Sequence, residues 1–311
     1  MTRERVFVRS DAGPVDGGDS RRAMDRLFGS YLLVSGVALA FPSRPPIWPV
    51  LALLHLLGAA LTLGVPPFAR LEAALARRTP AVARIIHDWY PLAIMPPLYT
   101  ELATLNLAVH GGHFFDGVIL GIEQAIFGGQ PSYFLSRRLP YLPLSEVLHA
   151  SYLSYYVIIY GPPLLLYALG RRGDFRRLVF QLMLTFFVCY LFFVYFPVMG
   201  PRYLFPAPDG VLAQGPVYRL AHRLLQAGSS RGAAFPSSHV AVTTAQTILV
   251  FRFLPRLGPI VALLALGLAF GAVYGGFHYA TDAIAGFLLA VLIAFLAPAV
   301  RRALAGRSER A

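Results

Sequence analysis

Two histidines, one aspartate and a Pro-Ser-Ser turn stand in a stretch that is otherwise almost all apolar, Phe235 to Gly286. They fall in two groups, Phe235-Pro236-Ser237-Ser238-His239 and His278-Tyr279-Ala280-Thr281-Asp282. An ionisable group at the centre of a membrane span costs about 2.5–3.5 kcal/mol, so it marks function by default. Three of them together point to a phosphate-handling site at one face of a membrane.

The chemistry follows from residue type. A proline suits the first position of a helix, where its missing N–H would have had no acceptor. With Pro236 there, the N–H groups of Ser237, Ser238 and His239 form an anion site, and the serine hydroxyls add donors. His278 and Asp282 are four apart, which on a helix puts them on one face, about 5–6 Å between Cβ atoms. A carboxylate on one ring nitrogen fixes the tautomer and frees the other nitrogen to attack. Phosphoryl transfer through a phosphohistidine needs a nucleophile, here His278, and an acid for the leaving oxygen, here His239. Arg202 and Arg231 are the candidate cations for the phosphate oxygens. Each half alone also has a plain structural reading, a serine-capped span or a His–Asp staple. No cluster of Mg²⁺-binding carboxylates is visible, so a metal-independent mechanism without cofactor is expected.

Spans must position these groups. The chain has 311 residues, 57% hydrophobic and 14% charged, too apolar for an ordinary soluble protein. Eight apolar segments are expected at 24–41, 47–65, 89–109, 144–169, 175–198, 235–254, 257–276 and 279–299, an all-α polytopic transmembrane bundle. The third contains Pro91, Pro96 and Pro97 and is expected to kink. Residues 1–22 read as a disordered cytoplasmic tail without the apolar core of a signal peptide, 23–300 as one transmembrane catalytic domain, and 301–311 as a second cytoplasmic tail. The 110–143 stretch reads as an interfacial segment outside the cytoplasm, built of one or two helices.

All 27 basic residues are arginine, and the net charge is +12. No basic stripe with interleaved aromatics suggests nucleic acid. Most arginines fall on one side of the expected spans; Arg44, Arg137, Arg138, Arg202, Arg219, Arg223 and Arg231 fall on the other. That asymmetry sets both termini in the cytoplasm. His239 and His278, not used in the count, then share the outer face. Cys189, alone in an apolar run, reads as packing.

The runs Pro236-Ser237-Ser238-His239 and His278-Tyr279-Ala280-Thr281-Asp282-Ala283-Ile284-Ala285-Gly286 resemble the type 2 phosphatidic acid phosphatase superfamily. The resemblance implies that His239 is the general acid, His278 the nucleophile and Asp282 its orienting group. It also implies a six-helix transmembrane core with an outward-facing lipid phosphate site. Two features depart from the ordinary phosphatases: no lysine precedes Pro201-Arg202, and Ala272 stands where their third motif carries arginine. With Tyr274 ahead of His278-Tyr279 and the Asp116 to Pro131 run, they resemble the inositol phosphorylceramide synthase-like branch.

The expected function is transfer of a phospho-headgroup between lipid alcohols. The alternatives are a phosphatase acting on phosphatidate or a polyprenyl diphosphate and, in another class, a non-catalytic lipid-binding protein or transporter. Tyr274, Tyr279, Glu146 and Asp116 are candidates for the acceptor or substrate pocket. The expected partners are membrane lipids in a bacterial-type plasma membrane, and the sequence leaves the oligomeric state open.

Overall fold

Apolar runs bounded by proline, glycine and arginine give helices throughout the computed structural model, which describes residues 17–66, 73 and 77–306. Among these residues no strand forms; a single parallel bridge joins Val198 and Ala233. The first helices are α1 (Gly17–Gly36), α2 (Trp48–Thr62) and α3 (Pro80–His110). Two short helices follow, α4 (Asp116–Phe127) and α5 (Pro131–Arg138), then α6 (Leu142–Leu153), α7 (Tyr155–Ala168) and α8 (Arg172–Tyr195). The last four are α9 (Pro216–Gly228), α10 (Ser238–Phe253), α11 (Gly258–Tyr274) and α12 (Ala280–Ala305).

Among the described residues, four helical stretches are long and apolar enough to cross a membrane: Ser20–Ala40, α3, α8 and α12. α2, α7 and α11 are apolar but shorter. Large apolar side chains face outward, with Leu263 70% and Phe295 78% exposed, as a lipid-facing surface requires. α8 is the central helix and packs on α1, α3, α7, α10 and α12. Its aromatic residues interlock with their neighbours; Phe187 stacks on Tyr31 at 4.4 Å, and such a pair adds about 0.5–1.5 kcal/mol beyond its burial.

Two local features differ from the sequence expectation. α1 begins at Gly17, inside the stretch expected to be a tail; residues 1–16 and 307–311 lie outside the described residues. The span expected at 144–169 is divided at Ser154, whose hydroxyl takes the Ser151 carbonyl at 2.6 Å and competes with the helix ladder. α3 carries Pro91, Pro96 and Pro97 within one continuous helical stretch.

The bundle has two chemically different ends. At one, Arg176 pairs with Asp88 at 2.8 Å, Arg171 holds the Phe253 carbonyl at 2.6 Å, and Arg26 holds the Leu304 carbonyl at 2.8 Å. At the other, α3 and α8 end together, with His110 Nε2 at 3.2 Å from the Tyr195 carbonyl. There the chain also enters α10 and α12, so His239 and His278 share that end.

Candidate active site

Three connecting segments meet at this end: 196–205 after α8, which includes the one-turn helix Pro201–Leu204, 229–237 before α10, and 275–279 before α12. The first two are joined by backbone bonds, Val198 N–H to the Gly232 carbonyl and Ala234 N–H to the Val198 carbonyl, at 3.2 and 3.0 Å. Gly200 has φ +93°, and a Cβ there would meet the Ala234 Cβ at 3.0 Å, so both backbone and space call for glycine.

α10 opens differently from the expectation. Its first residue is Ser238, with Ser237 as N-cap and Pro236 outside the helix after a cis Phe235-Pro236 bond. The Ser237 hydroxyl accepts from Val240 N–H at 3.4 Å, and a serine oxygen in that role is what sets the helix start. The Ser237 N–H donates to the Asp282 carbonyl at 3.0 Å. Ser238 is buried beside it.

His278 precedes α12 rather than lying on it. Tyr279 is the N-cap, and Asp282 reaches back so that its Oδ2 accepts the Tyr279 N–H at 2.9 Å, the reciprocal arrangement of a capping box. That turn leaves Asp282 Oδ2 3.4 Å from His278 Nδ1, with the Ala234 carbonyl 3.1 Å from the same nitrogen. A backbone carbonyl only accepts, so Nδ1 carries the proton and Nε2 keeps its lone pair. Nε2 stands 3.4 Å from His239 Nδ1, and the ring centroids are 5.5 Å apart. His278 and Asp282 are 4% and 0% exposed, so the pair sits in a dry pocket.

The other candidates are distributed around this pair. Arg202 Nη1 donates to the Leu225 carbonyl and Ser229 Oγ, at 3.1 and 2.9 Å. Arg231 is exposed, and its carbonyl accepts from Asn106 at 2.8 Å. The Asp116 carboxylate accepts the N–H groups of Met199 and Gly200, both at 2.9 Å, and the Tyr279 hydroxyl at 3.0 Å. Glu146 accepts the Val217 and Tyr218 N–H groups at 2.9 and 3.0 Å and so caps α9. The Tyr274 hydroxyl donates to the Leu139 carbonyl at 2.7 Å.

The sequence reading did not single out several residues that meet here. Glu123 Oε1 accepts the Thr281 N–H at 3.0 Å and so fixes the first turn of α12. Burial pushes its carboxyl above the ordinary value, against the pull of the Thr281 and Ala280 N–H groups. Tyr152 and Tyr155 pack against His239 at centroid distances of 5.1 and 4.3 Å. α9 itself was detectable, because Tyr218, Ala221, His222 and Leu225 recur at helical spacing after Pro216.

A cavity of about 100 Å³ is lined among others by Ser132, Arg202, His222, Gln226, Gly276 and Phe277, the last being the residue before His278. Phe277 packs on Tyr152 at 4.6 Å, and Tyr152 in turn packs on His239 at 5.1 Å. Among the described residues, no group of three or more His, Cys, Asp or Glu side chains is arranged to hold a metal ion.

No curated protein and no solved structure matches the chain. Residues 119–296 match the family model of the PAP2 superfamily, whose members are generally phosphatases or phosphotransferases. The match spans more than half of the sequence and includes His239, His278 and Asp282. This all-helical chain, with its apolar membrane-type helices, belongs to the PAP2 superfamily.

Proposed function

We propose that the protein is a membrane lipid phosphotransferase that works through a phosphohistidine on His278 and moves a phospho-headgroup between lipid alcohols. The observation that carries this reading is the lone pair of His278 Nε2 facing His239 Nδ1 at 3.4 Å. A substrate phosphate replaces that direct contact. The Nε2 lone pair attacks phosphorus, the bond from phosphorus to the leaving alcohol breaks, and His239 Nδ1 gives that oxygen its proton. Asp282 holds the Nδ1–H and balances the positive charge that forms on the ring. In the second half His239 takes the proton of the incoming alcohol, whose oxygen attacks phosphorus and frees His278. Arg202 supplies positive charge for the phosphate oxygens.

The cavity lined by Arg202 and Phe277 supports transfer, because it offers room for a second hydroxylated group near the candidate phosphate-binding arginine. The departures at Ala272 and before Arg202 support the same branch, that of the inositol phosphorylceramide synthases. Hydrolysis uses the same histidines with water as acceptor and is the second reading. Since Arg26, Arg171, Arg176 and Arg301 gather at the far end of the bundle, the site is assigned to the extracytoplasmic face, with both termini in the cytoplasm.

The test is a trapping experiment with ³²P-labelled donor lipid and purified protein in detergent. The expected product is an acid-labile, base-stable phosphoenzyme that is absent in His278→Ala. Added alcohol acceptor should carry the label away as a new lipid. Label released only as free phosphate would favour the phosphatase, and turnover in His278→Ala would sink both readings.

A further inference from the structure

His278 has a carboxylate partner, but the acid facing it does not. The groups bonded to the His239 ring are His278, on Nδ1 at 3.4 Å, and the Tyr152 hydroxyl, on Nε2 at 3.3 Å. The Tyr152 ring is 4% exposed, stacks on His239 at an interplanar angle of 27° and is packed from another side by Phe277 at 4.6 Å. Its place is therefore fixed by packing, and its hydroxyl is already aimed at the imidazole.

We infer that Tyr152 is a positioning residue for the general acid: its hydroxyl holds the His239 ring and sets which nitrogen presents the proton to the leaving group. This rests on the phosphohistidine reading. At rest the Nε2 lone pair of His278 can only accept, so His239 Nδ1 is the donor between the rings. His239 Nε2 then lacks a proton and accepts the Tyr152 O–H. Once His239 is charged, ready to protonate the leaving oxygen, its Nε2–H donates to the same phenol oxygen, which turns its own proton away. A hydroxyl serves both states because it donates and accepts. A carboxylate in that place would hold the ring permanently protonated and make it a poor acid. The two histidines therefore differ in partner as their tasks differ, carboxylate for the nucleophile and phenol for the acid.

The experiment compares two substrates with the same phosphate, an octyl ester and a para-octylphenyl ester. An alkyl alkoxide needs its proton as the bond breaks, whereas the phenolate leaves without one, so in the first half, read as single-turnover release of octanol or octylphenol, only the octyl ester depends on the acid. Tyr152→Phe keeps the ring stack and removes the hydroxyl. A hydrogen bond to a charged group contributes about 1.5–3 kcal/mol, so the single-turnover rate for the octyl ester should fall by roughly tenfold or more. The single-turnover rate for the aryl ester should change little, with the substrate concentration at half-maximal rate nearly unchanged for both. Equal losses on both esters, or none, would overturn the inference. His239→Ala in the same assay should show the same discrimination more strongly. If it shows none, the assignment of His239 as acid has failed instead, and a His278→Ala that still turns over removes the phosphohistidine itself.

Discussion

The carbonyl of Asp282 accepts the N–H of Ser237 at 3.0 Å, so the helix that carries His239 and the helix that follows His278 are joined at their first turns. The join requires a very close approach. A Cβ on Gly286 would meet the Ser237 carbonyl oxygen at 2.5 Å and the Ala241 nitrogen at 3.2 Å, both backbone atoms that cannot swing aside. Gly286→Ala should push the two turns apart and cost about 1–3 kcal/mol, the usual range for overpacking. Activity should fall further than the loss of folded protein explains. Thermal unfolding and kcat on the same preparation check this; an unchanged kcat with unchanged stability would show that the helices part without consequence.

Asp282 bonds His278 only through Oδ2, and that oxygen also receives the Tyr279 N–H. Asp282→Asn keeps the size but turns an acceptor-only group into one that also presents N–H donors. The imidazole is then free to turn or to move its proton to the attacking nitrogen. The expected result is a drop in kcat of about two to four orders of magnitude with little change in KM. Steady-state kinetics decide it; a loss confined to KM would place Asp282 in substrate binding instead.

The residue types at 239, 278 and 282 are legible in the sequence because ionisable groups stand out against apolar surroundings. The apolar runs are legible for the same reason, and α8, α10, α11 and α12 follow them closely. What the sequence hides is the bracing. Asp116, Glu123 and Glu146 each accept backbone N–H groups 84, 158 and 72 positions away, on Gly200, Thr281 and Tyr218. No spacing rule links a carboxylate to an amide that only the tertiary fold brings near. Tyr152 is hidden in the same way, since one tyrosine in an apolar helix reads as packing until His239 is set beside it. The displaced start of α10 has another cause: Pro236 suits the first helical position, but the Ser237 side chain caps more strongly.

Arg202 is held through one nitrogen by the Leu225 carbonyl and Ser229 Oγ while lining the cavity. A guanidinium can keep those bonds and still present further N–H donors to a phosphate, whereas an ammonium is a point charge on a flexible stem. Arg202→Lys should therefore lower kcat/KM by roughly ten- to a hundredfold, since bonds to charged groups contribute about 1.5–3 kcal/mol. Full activity in the lysine variant would mean that charge alone suffices there.

No step of the proposed chemistry runs through a metal. Turnover in excess EDTA should match turnover without it, assayed with donor lipid after extensive dialysis. Loss of activity that Mg²⁺ restores would count against the two-histidine mechanism.

His222 gives the fold a pH dependence of definite sign. Burial, with His149 and the Arg202 guanidinium beside it, pushes its imidazole down to about 4, and Tyr218 stacks on its other side at 4.0 Å. In the unfolded chain a histidine titrates near about 6.5. Between those values the unfolded state binds a proton that the folded state refuses, so stability increases with pH across the window. It is complete above the unfolded value and is lost as pH falls from about 6.5 toward 4. His222→Gln removes this titration, and its unfolding midpoint should fall less steeply on acidification than that of the parent. Thermal unfolding in detergent at closely spaced pH values tests it, and parallel curves for the two proteins would show that His222 takes up its proton without strain.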